Sequence, residues 1–125
     1  MKTNYGNTFN SGAGDSLSVS VEALWIRADV FAPLGGFVAK DDTNTLGKKI
    51  PAGTIVELGK PGDAPKFGTA ATAPTGLTYE DAYVGTHGCS INVVTNGTIN
   101  ESLSEVTYTA AQKAKLPGIN FFKEA

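Results

Sequence analysis

SINVVTNGTINES, residues 90–102, decides what kind of fold this chain adopts. Ile91, Val93 and Thr95 fall on one face at the two-residue period of a pleated strand, and Ile99 follows beyond the Asn96-Gly97 step. Branched side chains of this kind pack well on a pleated surface and lose rotamer freedom in a helix. Asn-Gly is a favoured type I′ hairpin turn, yet a lone glycine inside a strand also marks a bulge, and both readings stay open.

Working outward, LTYEDAYV (residues 77–84) predicts a second strand with Leu77, Tyr79 and Tyr83 inward. KKIPAGTIVELGK (48–60) predicts a corner at Pro51-Ala52-Gly53 and then a strand from Thr54, closing at Gly59. LSVSV (17–21) alternates strictly, and EALWIRADVF (22–31) continues that alternation through Leu24, Ile26 and Ala28, although its spacing also fits a short helix; strand is preferred. Pro33 and Gly35-Gly36 end that element, and the Asp-Asp-Thr-Asn cluster at 41–44 reads as a turn. Residues 59–76 carry prolines without any period and predict an irregular surface excursion. Helix formers run from an N-cap at Thr109 to Leu116, where Pro117-Gly118 stops them, and Ile119, Phe121 and Phe122 form an apolar terminus. The expected architecture is mainly β: a small β-sandwich or β-barrel-like domain over residues 17–125, with one short C-terminal helix and an extended N-terminal arm over residues 1–16.

A chain of 125 residues forms one ordinary domain, which buries roughly two thirds of its unfolded surface and needs no disulfide or metal to fold. Ten basic and twelve acidic residues are scattered, so no basic stripe addresses a nucleic-acid backbone. Cys89 is alone and has no internal disulfide partner. The opening MKTNYGNTFNSGAGDS is polar, and nowhere does an apolar run approach the roughly 20 residues of a membrane span, so neither nucleic acid nor membrane is an expected partner.

Local motifs for chemistry fail on spacing. Gly53 and Gly59-Lys60 have five residues between them where a phosphate loop has four, Pro61 follows the lysine, and the intervening TIVEL belongs in a sheet, which excludes a phosphate loop. Asp42-Thr43-Asn44-Thr45-Leu46-Gly47 begins like a calcium loop, but Leu46 replaces an oxygen ligand and the twelfth position is Gly53. His87 and Cys89 would share a strand face, as a nucleophile pair requires, yet nothing local orients the histidine. Glu80 and Asp81 are adjacent and point apart on a strand, whereas Glu101 and Glu105 fit a solvated helical face. No catalytic, cofactor or metal residue is assigned, and the expected protein is not an enzyme.

Several longer stretches, taken in succession, resemble the head fibre and capsid decoration proteins of tailed bacteriophages: GLTYEDAYV, then VVTNGTINES, then TAAQKAKLPGINFF, with IPAGTIVELG similar to a Pro-Ala-Gly-Thr corner common in phage head decoration proteins. The resemblance covers roughly residues 49–122; residues 1–46 match no pattern of that family. It implies a small, mostly β, non-enzymatic virion protein that binds the major capsid protein on the capsid exterior after synthesis in the host cytoplasm, commonly as a homotrimer. The chain lacks the extended repeat of a fibre shaft, so a short decoration or fibre-base protein fits better, with a surface glycan or a second fibre protein as further candidate partners. Tyr5 and Phe9 of the arm are candidate capsid contacts, and Ile119, Phe121 and Phe122 candidate trimer-interface residues, each with packing in the chain's own core or a solvated tail as the plainer alternative. A carbohydrate-binding or adhesion β-domain is the rival reading, with Trp25, Tyr79 and Tyr83 as stacking rings.

Overall fold

A computed structural model of the protein describes residues 21–60 and 62–123. The arm read over 1–16, with Tyr5 and Phe9, and all but the last residue of the 17–21 strand lie outside the described residues. In chain order the elements are α1 (Val21–Leu24), β1 (Trp25–Phe31), β2 (Gly36–Val38), β3 (Lys49–Ile50), β4 (Ile55–Glu57), β5 (Lys66–Phe67), β6 (Gly76–Thr78), β7 (Ala82–Tyr83), β8 (Cys89–Ile91), β9 (Val93–Asn100), α2 (Ala110–Ala114) and β10 (Ile119–Phe122). The protein is mainly β. Its principal sheet runs β1-β9-β6-β4-β5, antiparallel throughout, and β10 joins β9 in parallel; β2–β8 and β3–β7 form two separate ribbons.

The 90–102 stretch supplies the centre of that sheet. β9 is the longest strand, and residues 97–99 have partners on both sides, β1 on one edge and β10 on the other. Alternation along the central strands gives the sheet two apolar faces. Ile55, Leu77 and Val94 point into one cluster with Leu24, Trp25, Ile99, Tyr108, Leu116 and Ile119. Their neighbours Val56 and Val93 point the other way, into a second cluster with Val38, Ile50, Val84 and Ile91. A sheet covered on both faces reads as adjacent apolar residues, which is why Ile55-Val56 and Val93-Val94 break strict alternation.

The Asn96-Gly97 step is neither a turn nor a bulge of its own strand. Gly97 lies within β9, and the register shifts on either side of it, between Trp25 and Arg27 and between Ala28 and Val30, put the extra residue on β1; a third, between Val30 and Phe31, puts one on β9 at Thr95. Glycine is required there by close approach: a Cβ at position 97 would stand 2.4 Å from the Arg27 carbonyl oxygen. The bulged strand presses its backbone onto that one position.

The segment 22–31 combines the two alternatives its sequence held open. It starts as the single turn α1 and continues as β1, so consecutive Leu24 and Trp25 are both buried, while Ile26, expected inward, is exposed. LTYEDAYV is likewise two strands, because the chain bends at Tyr79-Glu80; Tyr79 is half-buried and Tyr83 is exposed. Thr109 caps α2 through a capping box with Gln112, but the helix ends at Ala114, two residues before Leu116. The apolar terminus becomes β10.

The Pro51-Ala52-Gly53 corner is as read. The Pro51 carbonyl accepts from the Thr54 N–H (3.2 Å), the Thr54 hydroxyl (2.5 Å) and the Thr78 hydroxyl (2.8 Å). Asp81 accepts the Ala52 N–H at 2.8 Å, so the turn within 77–84 holds the corner from outside. Gly53 has φ +88, and its carbonyl accepts from the buried Tyr108 hydroxyl at 2.6 Å. That bond ties the corner to the segment leading into α2.

Candidate functional site

At the corner between β1 and β2 the chain displays apolar side chains to solvent. Ala32-Pro33-Leu34-Gly35 closes with the Gly35 N–H donating to the Ala32 carbonyl at 3.2 Å. Proline holds the second position, which its fixed φ suits, and leucine the third, which a type II turn reserves for glycine. Leu34 has φ +64, and among the described residues no other non-glycine residue has a positive φ. An L-residue there costs about 1–2 kcal/mol. No packing among the described residues offsets that cost, because the Leu34 side chain is fully exposed.

Phe37 is 55% exposed just beyond this turn, and Phe31 is exposed just before it. A groove of about 600 Å³ opens beside Phe37, lined by it and by Leu34, Leu58 and Pro65, with Lys60 and Asp63 also lining it. Its floor is aliphatic and its charges are of both signs. It suits an apolar protuberance more than a charged small molecule.

Polar chemistry lies elsewhere and is satisfied. Lys49 bridges Glu105 at 2.8 Å and Asp81 at 3.6 Å; the Glu105 hydrogen bond, aided by the Asp81 charge, pushes its ammonium pKa up. Lys113 pairs with Glu101 at 2.8 Å and lies over the Phe121 ring. Glu101 and Glu105 thus hold separate lysines and sit on a 3-10 turn and a bend, not on a shared helical face. Burial and, to a lesser degree, the Glu101 charge push the Tyr108 phenol up to about 12 against the opposing Ser104 hydrogen bond.

The other candidates separate. His87 is exposed at a tight turn between Gly85 and Gly88, while Cys89 is half-buried with its thiol pushed up by burial; no hydrogen bond joins them among the described residues. A raised thiol pKa disfavours the thiolate a nucleophile needs. In the 41–47 loop it is Asp41 that accepts from the Thr43 and Asn44 N–H groups, and the Lys48 ammonium occupies the neighbourhood of the Thr43 carbonyl and Asn44 side chain. No group of three or more metal-ligating side chains occurs among the described residues. No helix of the described residues is long and apolar enough to cross a membrane.

Trp25, Tyr79 and Tyr83 do not form one platform. Trp25 is buried, donates its indole N–H to the Tyr79 carbonyl at 2.8 Å and faces the Tyr79 ring at 6.2 Å, while Tyr83 stands apart on the β3–β7 ribbon. Of the terminal trio, Ile119 is buried in the chain's own core, Phe121 packs on Tyr108 with ring centroids 5.0 Å apart, and Phe122 is 47% exposed. Sequence reasoning passed over Leu34. Its signal is a large apolar residue between Pro33 and Gly35-Gly36, at a turn position where glycine or asparagine belongs.

No protein-family model, curated protein or solved structure matches the chain.

Proposed function

We propose that the protein is a non-enzymatic structural component of a tailed-phage virion. It binds the outer surface of the capsid as a decoration or fibre-base protein, as a homotrimer, and stabilises the shell or displays a surface module. The phage context comes from the resemblance over residues 49–122. The single observation that carries a binding role is Leu34, held at φ +64 and fully exposed beside Phe37. A strained backbone that holds an apolar side chain out to solvent supports reading that side chain as an anchor for a partner.

Burying one leucine contributes about 1.5–3 kcal/mol, and a trimer multiplies the effect through simultaneous contacts. Co-sedimentation with undecorated capsids tests the reading. Wild type should bind saturably, Leu34→Asp should bind at least 10-fold more weakly, and deletion of residues 2–16 reports separately on Tyr5 and Phe9. Failure of the wild-type protein to bind any tailed-phage capsid refutes the virion role, and full binding by Leu34→Asp removes the anchor. Retention on a glycan array would favour the carbohydrate-binding alternative.

A further inference from the structure

Strand β1 reads Trp25-Ile26-Arg27-Ala28-Asp29-Val30-Phe31, and its chemistry is symmetric about Ala28. Aromatic residues stand at its ends, aliphatic residues at 26 and 30, and opposite charges at 27 and 29. β1 is also the terminal strand of the principal sheet, with β9 on one side and no strand on the other among the described residues. Ile26 and Val30 are 50% and 49% exposed, and the Arg27 and Asp29 side chains, joined by a contact of 3.2 Å, face solvent.

We propose that β1 is a homotypic interface. Its free edge pairs antiparallel with β1 of a second copy about a two-fold axis through Ala28. That register sets Ile26 against Val30 of the second copy and Arg27 against Asp29 of the second copy, and symmetry repeats both pairs. The two Arg27–Asp29 pairs merge into a square of four charges with opposite signs adjacent. No neighbouring alignment does as well. An antiparallel axis at residue 27 opposes two arginines, one at residue 29 opposes two aspartates, and parallel in-register pairing opposes like charges at both positions. Charge thus selects the partner, its direction and the register together.

The bulges in β1 limit the strength of this contact. Irregular edge strands resist indiscriminate pairing, so the matched segment is confined to residues 26–30 and the buried area belongs to the weak, transient class. A dissociation constant of about 10–100 μM is expected, since such interfaces carry few desolvated anchors. Trp25 and Phe31 are engaged within their own chain, where both rings contact Tyr79. The proposal is independent of the capsid reading. β10 lies on the opposite edge of β9, so a two-fold contact through β1 leaves Phe122 free for a three-fold one.

Sedimentation of the full chain over a concentration series tests it by charge exchange at two exposed positions, with circular dichroism confirming the fold of each variant. Arg27→Asp makes the edge wholly acidic and Asp29→Arg wholly basic; each alone should weaken self-association at least 10-fold. Arg27→Asp/Asp29→Arg together should restore it to within about 3-fold of wild type, and an equimolar mixture of the two single variants should associate with each other. The proposal is overturned if wild type shows no two-fold association up to millimolar concentration, if either single variant associates as well as wild type, or if the double variant and the mixture both stay dissociated. Wild-type association gained on deleting residues 2–16 would place that segment on the edge instead, and would likewise overturn pairing in the full chain.

Discussion

Replacing Leu34 by glycine should stabilise the protein while abolishing its proposed contact. Leucine at φ +64 costs about 1–2 kcal/mol relative to an unstrained residue, a cost glycine does not bear. Against this, glycine adds about 0.4–1 kcal/mol of unfolded-state entropy. Because the Leu34 side chain is fully exposed, truncation forfeits no buried surface. The balance is a gain of about 0.5–1 kcal/mol, or about 2–4 °C in Tm for a chain of this size. Urea denaturation reads it directly, provided the slope with denaturant is unchanged. Leu34→Ala is the control: it removes the side chain and keeps the strain, so its stability should stay within about 0.5 kcal/mol of wild type. Both variants should lose capsid binding alike. If Leu34→Gly is destabilising, or Leu34→Ala costs more than 1 kcal/mol, the side chain serves the fold and the anchor argument fails.

Gly53→Val should cost about 3 kcal/mol or more, because the added Cβ would stand 2.6 Å from the Tyr108 hydroxyl at a backbone φ of +88; a variant of wild-type stability would refute that account of the corner. Tyr108→Phe leaves the buried Gly53 carbonyl without its 2.6 Å donor and should cost about 1–3 kcal/mol in chemical denaturation. Tyr108 also sets an alkaline limit: the folded state holds its proton to about 12 against about 10 unfolded, so its contribution is intact below pH 10 and lost towards pH 12. That loss is about 2–3 kcal/mol, and the Phe variant should lack it. Phe122→Asp should dissociate the proposed trimer at least 10-fold by light scattering while leaving the fold intact, since the side chain is half exposed; a persisting trimer would move the interface off β10.

Short-range physics made much of this fold legible. The two-residue period found the central strand, and turn and capping residues found the Pro-Ala-Gly corner and the Thr109 cap, because each depends on a few adjacent residues. What stayed hidden depends on partners distant in sequence. Gly97 read as either a turn or a bulge because its need for a missing Cβ is created by the Arg27 carbonyl across the sheet. The terminal Ile119, Phe121 and Phe122 read as an apolar terminus for a trimer interface or the chain's own core, and their pairing with β9 as a strand had no local signal. Tyr83 alternated inward on paper, but the bend at Tyr79-Glu80, next to the Asp81 side chain held by the Ala52 N–H, broke the alternation. Leu34 was missed because strain appears only once the turn geometry is known.

The position of β9 bears on how the protein is made. Residues 25–31 leave the ribosome before residues 93–100, the strand that pairs with them, so the sheet cannot close until β9 has been translated. During that interval Ile26, Val30 and Phe31 travel on a strand with neither edge occupied. Neighbouring ribosomes on one message would carry such strands side by side. The bulges that blunt the edge of β1 are set by its register against β9, so that protection arises only when the sheet closes.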